Sequence, residues 1–274
     1  MPSLDDSPMT PPQRSIHGFI AGTLIGTLGG LIGLGGAEFR LPVLVGLFRL
    51  GTLEAVILNK AMSLVVVAAA LLFRLKAIPF EQLGAHIGVA LNLLAGSLVG
   101  AWWAAGHAIT MSRVWLNRII MVMLIGLALI MLGESLWGLQ DAKPLFDNLP
   151  TQVVAGVVAG LGIGVVAALL GVAGGELLIP TIVLLFGLDI KLAGSLSLCV
   201  SLPTMIVGFA RYRQAEAFQV LAREKALLKW MSAGSILGAA IGGLLLGLVP
   251  TTWLMGLLGV ILLVSAVKTF QHAH

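Results

Sequence analysis

Two glycine-rich segments of the same design carry residue types that bind anions or protons. They read GLGGAEFRLP at 33–42 and GVAGGELLIP at 171–180, with a glutamate and then a proline after the glycines. Glycine adopts positive φ angles, and proline is tolerated near the start of a helix. Each segment predicts a chain break followed by a short helix with its proline in or near the first turn. The unpaired N–H groups and positive dipole of such a helix start favour an anion. The predicted backbone ligands are Gly35, Gly36, Ala37, Gly174 and Gly175.

Charged and hydroxyl side chains near these breaks complete the predicted anion site. Arg40 follows the first break and could bind an oxyanion with two N–H groups, or pair with Glu38. Lys60 lies in an apolar stretch, where a buried ammonium group favours an anion, although it could also extend towards the membrane interface. The remaining candidates are polar residues that could bind substrate oxygens or only bridge helices, and they are Asn59, Ser63, Ser195, Ser197 and Ser201.

Glu38 and Glu176 allow two interpretations that make different predictions. A carboxyl group at membrane depth is costly, and it indicates function by default. The functional interpretation is proton coupling. The alternative is a pair of tight turns capped by their own charged glutamates, which would repel an anion.

The composition requires these residues to be positioned by membrane helices. The 274 residues are 58% hydrophobic and only 10% charged, whereas soluble domains carry about 25% charged residues. A spanning helix needs about 20 mostly apolar residues. Two further apolar stretches, 41–50 and 177–188, are only half that length. The sequence predicts an all-α polytopic membrane protein, and its eight long apolar stretches are 16–35, 53–73, 83–105, 116–138, 151–171, 192–210, 228–248 and 251–268.

The two breaks belong to an internal repeat. They lie 138 positions apart (171 minus 33), and glycine, glutamate, proline, serine and tryptophan residues match at that offset without gaps. The sequence therefore predicts a disordered cytoplasmic tail at 1–15, repeats at 16–138 and 151–268, a linker at 139–150 and a C-terminal tail at 269–274. Duplicated helical membrane proteins often bind substrate between their repeats, at broken helices.

The topology of the repeats has two solutions. If the short stretches cross the membrane, each half has five spans and the halves are inverted. If they are re-entrant, each half has four spans and the halves are parallel. With the N-terminus inside, both solutions place ten basic loop residues inside and four outside. We favour the inverted arrangement of five plus five, because inversion is a common basis of alternating access. Both solutions make both termini and the loop at 211–229 cytoplasmic.

Several classes of function have no support in the sequence. No metal-ligand pattern, nucleotide-binding loop or hydrolase motif is present, so we predict neither an enzyme nor a metal or other cofactor. The single cysteine, Cys199, excludes an internal disulfide. The net charge of +4 is explained by cytoplasmic loops, not by nucleic-acid binding.

The segment GGLIGLGGAEFRLPVL with the following LNKAMSL resembles the TauE/SafE family, also called the toluene-sulfonate uptake permeases, as does ALLGVAGGELLIPTIVLLFGLDIKLAGSLSL. The resemblance covers about residues 16–268. It implies transport, often export, of sulfite, sulfoacetate or another organosulfonate across the bacterial inner membrane. Glu38 and Glu176 depart from the family pattern, in which an apolar or hydroxyl residue follows the glycines. A passive anion channel and a non-transporting membrane scaffold remain alternatives. The expected partners are the anion and membrane lipid, and a homodimer is left open.

Overall fold

The computed structural model describes residues 10–32, 36–74, 84–137, 145, 146, 148–245 and 251–271. Every long apolar stretch forms a helix, and each short stretch forms a half-length helix. Two short helical turns, Glu216–Gln219 and Val220–Arg223, lie between residues 212 and 225. The ten main helices of the described residues are α1 (Pro11–Ile32), α2 (Ala37–Gly46), α3 (Thr52–Arg74), α4 (Ile87–Thr110), α5 (Arg113–Trp137), α6 (Leu149–Leu170), α7 (Gly175–Phe186), α8 (Ile190–Tyr212), α9 (Lys225–Leu244) and α10 (Thr251–Gln271).

The first helix begins earlier than the sequence predicts. Pro11 starts α1, so residues 11–15 are helical and do not belong to a disordered tail. Proline suits a first turn because its missing N–H would have no partner there. The backbone N–H and hydroxyl of Thr10 both donate to Oε1 of Gln13, which fixes this helix start. Similarly, α10 extends to Gln271, into the predicted C-terminal tail. Residues 1–9 and most of the predicted linker lie outside the described residues.

Helix boundaries recur along the chain with the spacing of the sequence matches. The starts of α1 and α6, of α3 and α8, of α4 and α9, and of α5 and α10 are each 138 positions apart (149 minus 11 for the first pair). The two halves of the chain therefore contain the same helices in the same order.

The halves are joined by two pairs of parallel helices. Each pair contains one helix from each half. Gly22 and Gly26 of α1 lie directly against the backbone of Met231 and Ser235 in α9. Likewise, the glycines of α6 pack against the backbone of α4. Glycine rows let helix backbones approach closely, which is how membrane helices associate without a hydrophobic driving force. A third pair, α5 and α10, is antiparallel, because Gly256 and Gly259 of α10 contact Ser135 and Leu132 of α5.

One end of the bundle, which we call the amino end, gathers the start of α1 with the starts of α3 and α9. Arg14 pairs with Glu224 at 3.0 Å, and Arg223 pairs with Glu54 at 2.8 Å. The opposite end, from which α6 starts, is called the linker end.

The short helices return to the end from which the preceding helix started. The guanidinium of Arg14, in the first turns of α1, lies 5.6 Å from the ring centre of Phe48, just after α2. Leu145, just before α6, donates its backbone N–H to the carbonyl oxygen of Leu184 in α7 at 2.8 Å. Neither short helix therefore crosses the bundle, so the prediction of five spans in each half is wrong in this respect.

The halves are nevertheless inverted, as we favoured. Three helices follow each helix-and-half-helix hairpin, and an odd number of crossings brings the chain to the opposite end. Thus α1 starts at the amino end and α6 at the linker end. Among the described residues, six helices are long and apolar enough to span a membrane, and they are α3, α4, α5, α6, α8 and α9. The protein is an all-α polytopic membrane protein.

Candidate functional site

The last glycine before each short helix has the same backbone conformation in both breaks. Gly36 and Gly174 both have left-handed φ angles, of 67° and 77°, and each immediately precedes a short helix. A Cβ atom on Gly36 would lie 2.6 Å from the carbonyl oxygen of Ile25, so a side chain is excluded by contact as well as by conformation. Gly35, a predicted ligand, lies outside the described residues.

The prolines lie deeper in the short helices than the sequence predicts. Pro42 and Pro180 are each the sixth residue of their helix, in the second turn and not in the first. Proline has no N–H to donate to the carbonyl four residues earlier. The backbone carbonyls of Glu38 and Glu176 therefore lack their usual helical donor.

The side chains of Glu38 and Glu176 meet where the starts of α2 and α7 converge. The two carboxyl groups are within hydrogen-bonding reach of each other, and each is close to its own backbone N–H. Their exposed fractions are 0% and 5%. No donor among the described residues binds either oxygen of Glu38 or Oε1 of Glu176. The convergence of the two breaks therefore brings two acids together, one from each half.

Arg40 supplies the positive charge next to this carboxyl pair. Its side chain is only 1% exposed, and it interacts electrostatically with both glutamates. One guanidinium nitrogen, Nη2, donates to the hydroxyl of Ser63 at 3.0 Å. Within the described part of the chain, Nε and Nη1 have no hydrogen-bond partner. Arg40 thus retains unused donors of the kind that bind oxyanions.

Asn59 joins the two breaks directly. Its amide nitrogen donates to the carbonyl oxygen of Ala37, at the start of α2, at 3.0 Å. The same nitrogen donates to the carbonyl oxygen of Leu170, at the end of α6, at 2.9 Å. Asn59 is fully buried, so both hydrogen bonds form away from water. This predicted ligand therefore has a bridging role, using both of its N–H donors.

Lys60 is a buried cation in a neutral environment. Nζ donates to the carbonyl oxygen of Ala167 at 2.9 Å, and the side chain is fully buried. The absence of a side chain at Gly208 makes room for it, because a Cβ there would lie 2.9 Å from Cε of Lys60. An ammonium group has three donors, and the one bond identified here uses a neutral acceptor. Lys60 is therefore oriented into the bundle and not towards the interface.

The predicted serines are all buried but differ in their contacts. Ser63 holds Arg40, whereas the hydroxyl of Ser197 donates to the carbonyl oxygen of Gly194 in its own helix at 2.9 Å. Ser195 is buried and has an interaction partner. The hydroxyl of Ser201 is buried without a partner among the described residues. Ser63 and Ser201, equivalent positions of the two halves, are thus the best placed of the predicted serines.

The structure adds contacts that the sequence did not indicate. Tyr212, the single tyrosine, is fully buried, and its hydroxyl donates to the carbonyl oxygen of Ala168 at 3.0 Å. The hydroxyls of Ser97 and Thr204 share a hydrogen bond of 2.7 Å between α4 and α8. Tyr212 is the last residue of α8. Its burial depends on contacts between distant segments, which a sequence pattern does not reveal.

The comparisons with known proteins agree with this arrangement. A family model, Sulfite exporter TauE/SafE, matches residues 4–131 and 156–274, which is nearly the whole chain. The chain belongs to the TauE/SafE sulfite exporter family. No curated protein and no solved structure gives a significant match. Family membership makes the protein a multi-pass membrane transporter of the class that moves small sulfur-containing anions, and TauE/SafE proteins are transporters and not enzymes.

The structure shows a conformation in which these groups are closed to solvent. The exposed fractions of Glu38, Arg40, Lys60 and Glu176 range from 0% to 5%. An anion can therefore reach Arg40 or Lys60 only after helices move. Among the described residues, no group of three or more histidine, cysteine, aspartate or glutamate side chains could hold a metal ion.

Proposed function

We propose that this TauE/SafE protein is a secondary transporter that exports a small sulfur-containing anion by alternating access. Sulfite, sulfoacetate and other organosulfonates are the candidate substrates. The observation that carries the proposal is the presence of two buried cations, Arg40 and Lys60, at converging breaks from inverted halves. Burying a charge is costly unless it is paired, so Lys60, which has no acidic partner among the described residues, favours an anionic ligand.

The proposed site combines both halves of the chain. Arg40 and Ser63 come from the first half, Ser201 from the second, and Lys60 reaches across to Ala167 of the second half. The N–H groups at the starts of α2 and α7 face the carboxyl groups of Glu38 and Glu176 in this conformation. They become available to an anion when these carboxyl groups are neutral or displaced. We therefore assign Glu38 and Glu176 to proton coupling, and the backbone of Gly36, Ala37, Gly174 and Gly175 to the anion.

The inverted halves supply the two states that alternating access needs. We propose that the halves, residues 16–138 and 151–268, arose by duplication and exchange roles during transport. Each contributes one hairpin, and the hairpins start from opposite ends of the bundle. A closed site between two inverted hairpins is consistent with a carrier that opens to one side at a time.

The amino end of the bundle is the proposed cytoplasmic side of the bacterial inner membrane. The start of the first helix, α1, and the end of the last helix, α10, both lie there. So does a group of basic residues consisting of Arg14, Arg113, Arg211, Arg213, Arg223, Lys225, Lys229 and Lys268. An excess of lysine and arginine marks the cytoplasmic loops of membrane proteins.

Transport of labelled sulfite by the purified protein in liposomes tests the proposal. We expect release from loaded vesicles to exceed that from protein-free vesicles. External unlabelled sulfite should accelerate the exchange, because a carrier returns faster when loaded. We expect Lys60→Met to slow transport about 30-fold or more, since losing a buried charged partner costs about 2 kcal/mol or more.

Lys225→Met is the matched control, because Lys225 is exposed at the amino end. This variant should transport at the wild-type rate. Release that external sulfite does not accelerate would favour a channel, and the absence of release for sulfite, sulfoacetate and methanesulfonate would favour a scaffold. Wild-type rates in Lys60→Met would remove Lys60 from the site.

A further inference from the structure

The carboxyl pair and Arg40 form an isolated group of charges. Glu38 and Arg40 are on α2, Glu176 is on α7, and all three side chains are at least nine-tenths buried. The two carboxyl groups lie within hydrogen-bonding reach, and both interact electrostatically with Arg40. The group thus contains two acids within hydrogen-bonding reach of each other and one base that interacts electrostatically with both.

The neighbouring helices add no further acid to this group among their described side chains. The helices that pack against α2 are α1, α3 and α10, and those that pack against α7 are α6 and α8. On α6 there is no titratable residue. The titratable or charged side chains that the structure describes on the others are Arg14 and His17 on α1, Glu54 and Lys60 on α3, Cys199, Arg211 and Tyr212 on α8, and Lys268 on α10. Of these, Glu54 is the single carboxylate, and it pairs with Arg223 at the amino end.

Hydrogen-bond chemistry sets how many protons this pair can hold at rest. An ionised carboxylate only accepts, so two ionised carboxylates in contact would have no donor between them. One proton between Glu38 and Glu176 supplies that donor and leaves a single negative charge. This charge balances Arg40, so the resting group is neutral, as a buried site requires.

Binding of an anion disturbs this balance in a defined way. A monovalent anion on Arg40 must displace the remaining carboxylate charge, because two anions facing one buried cation would leave a net negative charge. A second proton on the pair removes that charge. The pair then holds two protons, both carboxyl groups are neutral, and Arg40 is balanced by the bound anion.

We propose that Glu38 and Glu176 act as one proton carrier, which shares one proton at rest and takes up one more with each monovalent sulfonate bound to Arg40. The step balances: one proton and one anion enter together, so the combined charge of Glu38, Glu176, Arg40 and the bound anion stays at zero, and the charge of Lys60 does not change. Transport of a monovalent sulfonate is therefore electroneutral, with one proton moved per anion in the same direction, so that export is driven by the outward gradient of the anion and not by the proton gradient. This inference rests on the proposed function and adds its stoichiometry.

Accumulation of methanesulfonate by proteoliposomes measures this stoichiometry. One proton per anion gives an equilibrium accumulation of about tenfold for each unit of pH difference, and two protons would give about 100-fold. Electroneutral movement makes that ratio independent of membrane potential. By contrast, if one net charge moved with each anion, a membrane potential of about 100 mV would change the accumulation ratio by about 50-fold.

Glutamine variants separate one shared carrier from two independent ones. In Glu38→Gln or Glu176→Gln, the amide replaces the shared proton as donor, and the remaining carboxyl still takes up one proton. Each single variant should therefore keep the tenfold ratio per pH unit. The double variant should lose the pH dependence and become sensitive to potential. Glu216→Gln, an exposed position outside the site, is the control and should match the wild type.

The outcomes distinguish the inference from the function on which it rests. Potential-dependent accumulation by the wild type would overturn the inference, as would a 100-fold ratio or complete loss of coupling in either single variant. If the double variant does not fold, the accumulation ratio of the wild type is by itself sufficient to test the inference. If sulfite is transported and methanesulfonate is not, the inference fails and the proposed function stands. If neither anion is transported, the inference and the proposed function both fail.

Discussion

Asn59 is the residue that ties the first break to the second. Its two hydrogen bonds, to Ala37 and Leu170, satisfy carbonyl groups that belong to different halves of the chain. The equivalent position in the second half is Ser197, whose hydroxyl bonds within its own helix. The duplicated positions have therefore diverged, and the link between the halves depends on one of them.

Replacing each of these two residues by alanine should affect stability very differently. Asn59→Ala leaves two buried carbonyl groups without this donor, at about 1–3 kcal/mol each, so we expect a loss of about 2–6 kcal/mol. Ser197→Ala removes one bond within a helix and should cost about 1 kcal/mol or less. Unfolding of the purified protein in detergent measures both. Equal losses in the two variants would show that Asn59 does not connect the halves.

The sequence indicated which residues are special but not how they pair. Rare charged and polar types in apolar stretches, such as Lys60 and Arg40, are conspicuous because burial makes them costly. Their contacts depend on packing between segments far apart in the chain. Thus the repeat marked Glu38 and Glu176 as equivalent positions, whereas their contact and the bonds from Lys60 to Ala167 and from Tyr212 to Ala168 had no signal in the sequence.

At the scale of helices, glycine determines which helix faces touch. A Cβ atom on Gly160 would overlap the backbone carbonyl of Leu93 in α4, whereas one on Gly162, two residues along α6, would have open space around it. The two glycines share a helix but face different surroundings. Gly160 permits the close contact of α4 with α6, and Gly162 has no such neighbour among the described residues.

This difference predicts opposite effects of the same substitution. Gly160→Ala should destabilise the protein by about 1–3 kcal/mol, because it forces α4 and α6 apart. Gly162→Ala should be neutral or stabilise by about 0.5–1 kcal/mol, since alanine favours a helix. Thermal unfolding in a single detergent compares them. Indifference to Gly160→Ala would contradict the packing described for this pair.

Helix positions were largely predictable, and the paths of the short helices were not. Apolar length alone located all eight long helices, since a span needs a minimum number of apolar residues. For α2 and α7, the length of about 15–18 Å fits both a return and a tilted crossing. Contacts between Arg14 and Phe48, and between Leu145 and Leu184, decide for a return. The distribution of basic residues could not distinguish a return from a crossing, because both topologies place the same number of basic loop residues inside.

At the scale of the whole molecule, inversion explains why the site lies where it does. The hairpin of α1 and α2 starts from the amino end and that of α6 and α7 from the linker end, so the two breaks meet inside the bundle. Arg40 and the two glutamates thereby share one buried environment. We infer that this meeting point binds a sulfur-containing anion.

Anomalous diffraction from crystals grown with 2-bromoethanesulfonate locates such an anion directly. The bromine marks the ligand, and the sulfonate has the chemistry of the proposed substrates. We expect the anomalous signal between the starts of α2 and α7, with the sulfonate in contact with Arg40, and we expect Arg40→Met crystals to lack it. A signal confined to the ends of the bundle, or one that persists unchanged in the variant, would contradict the account.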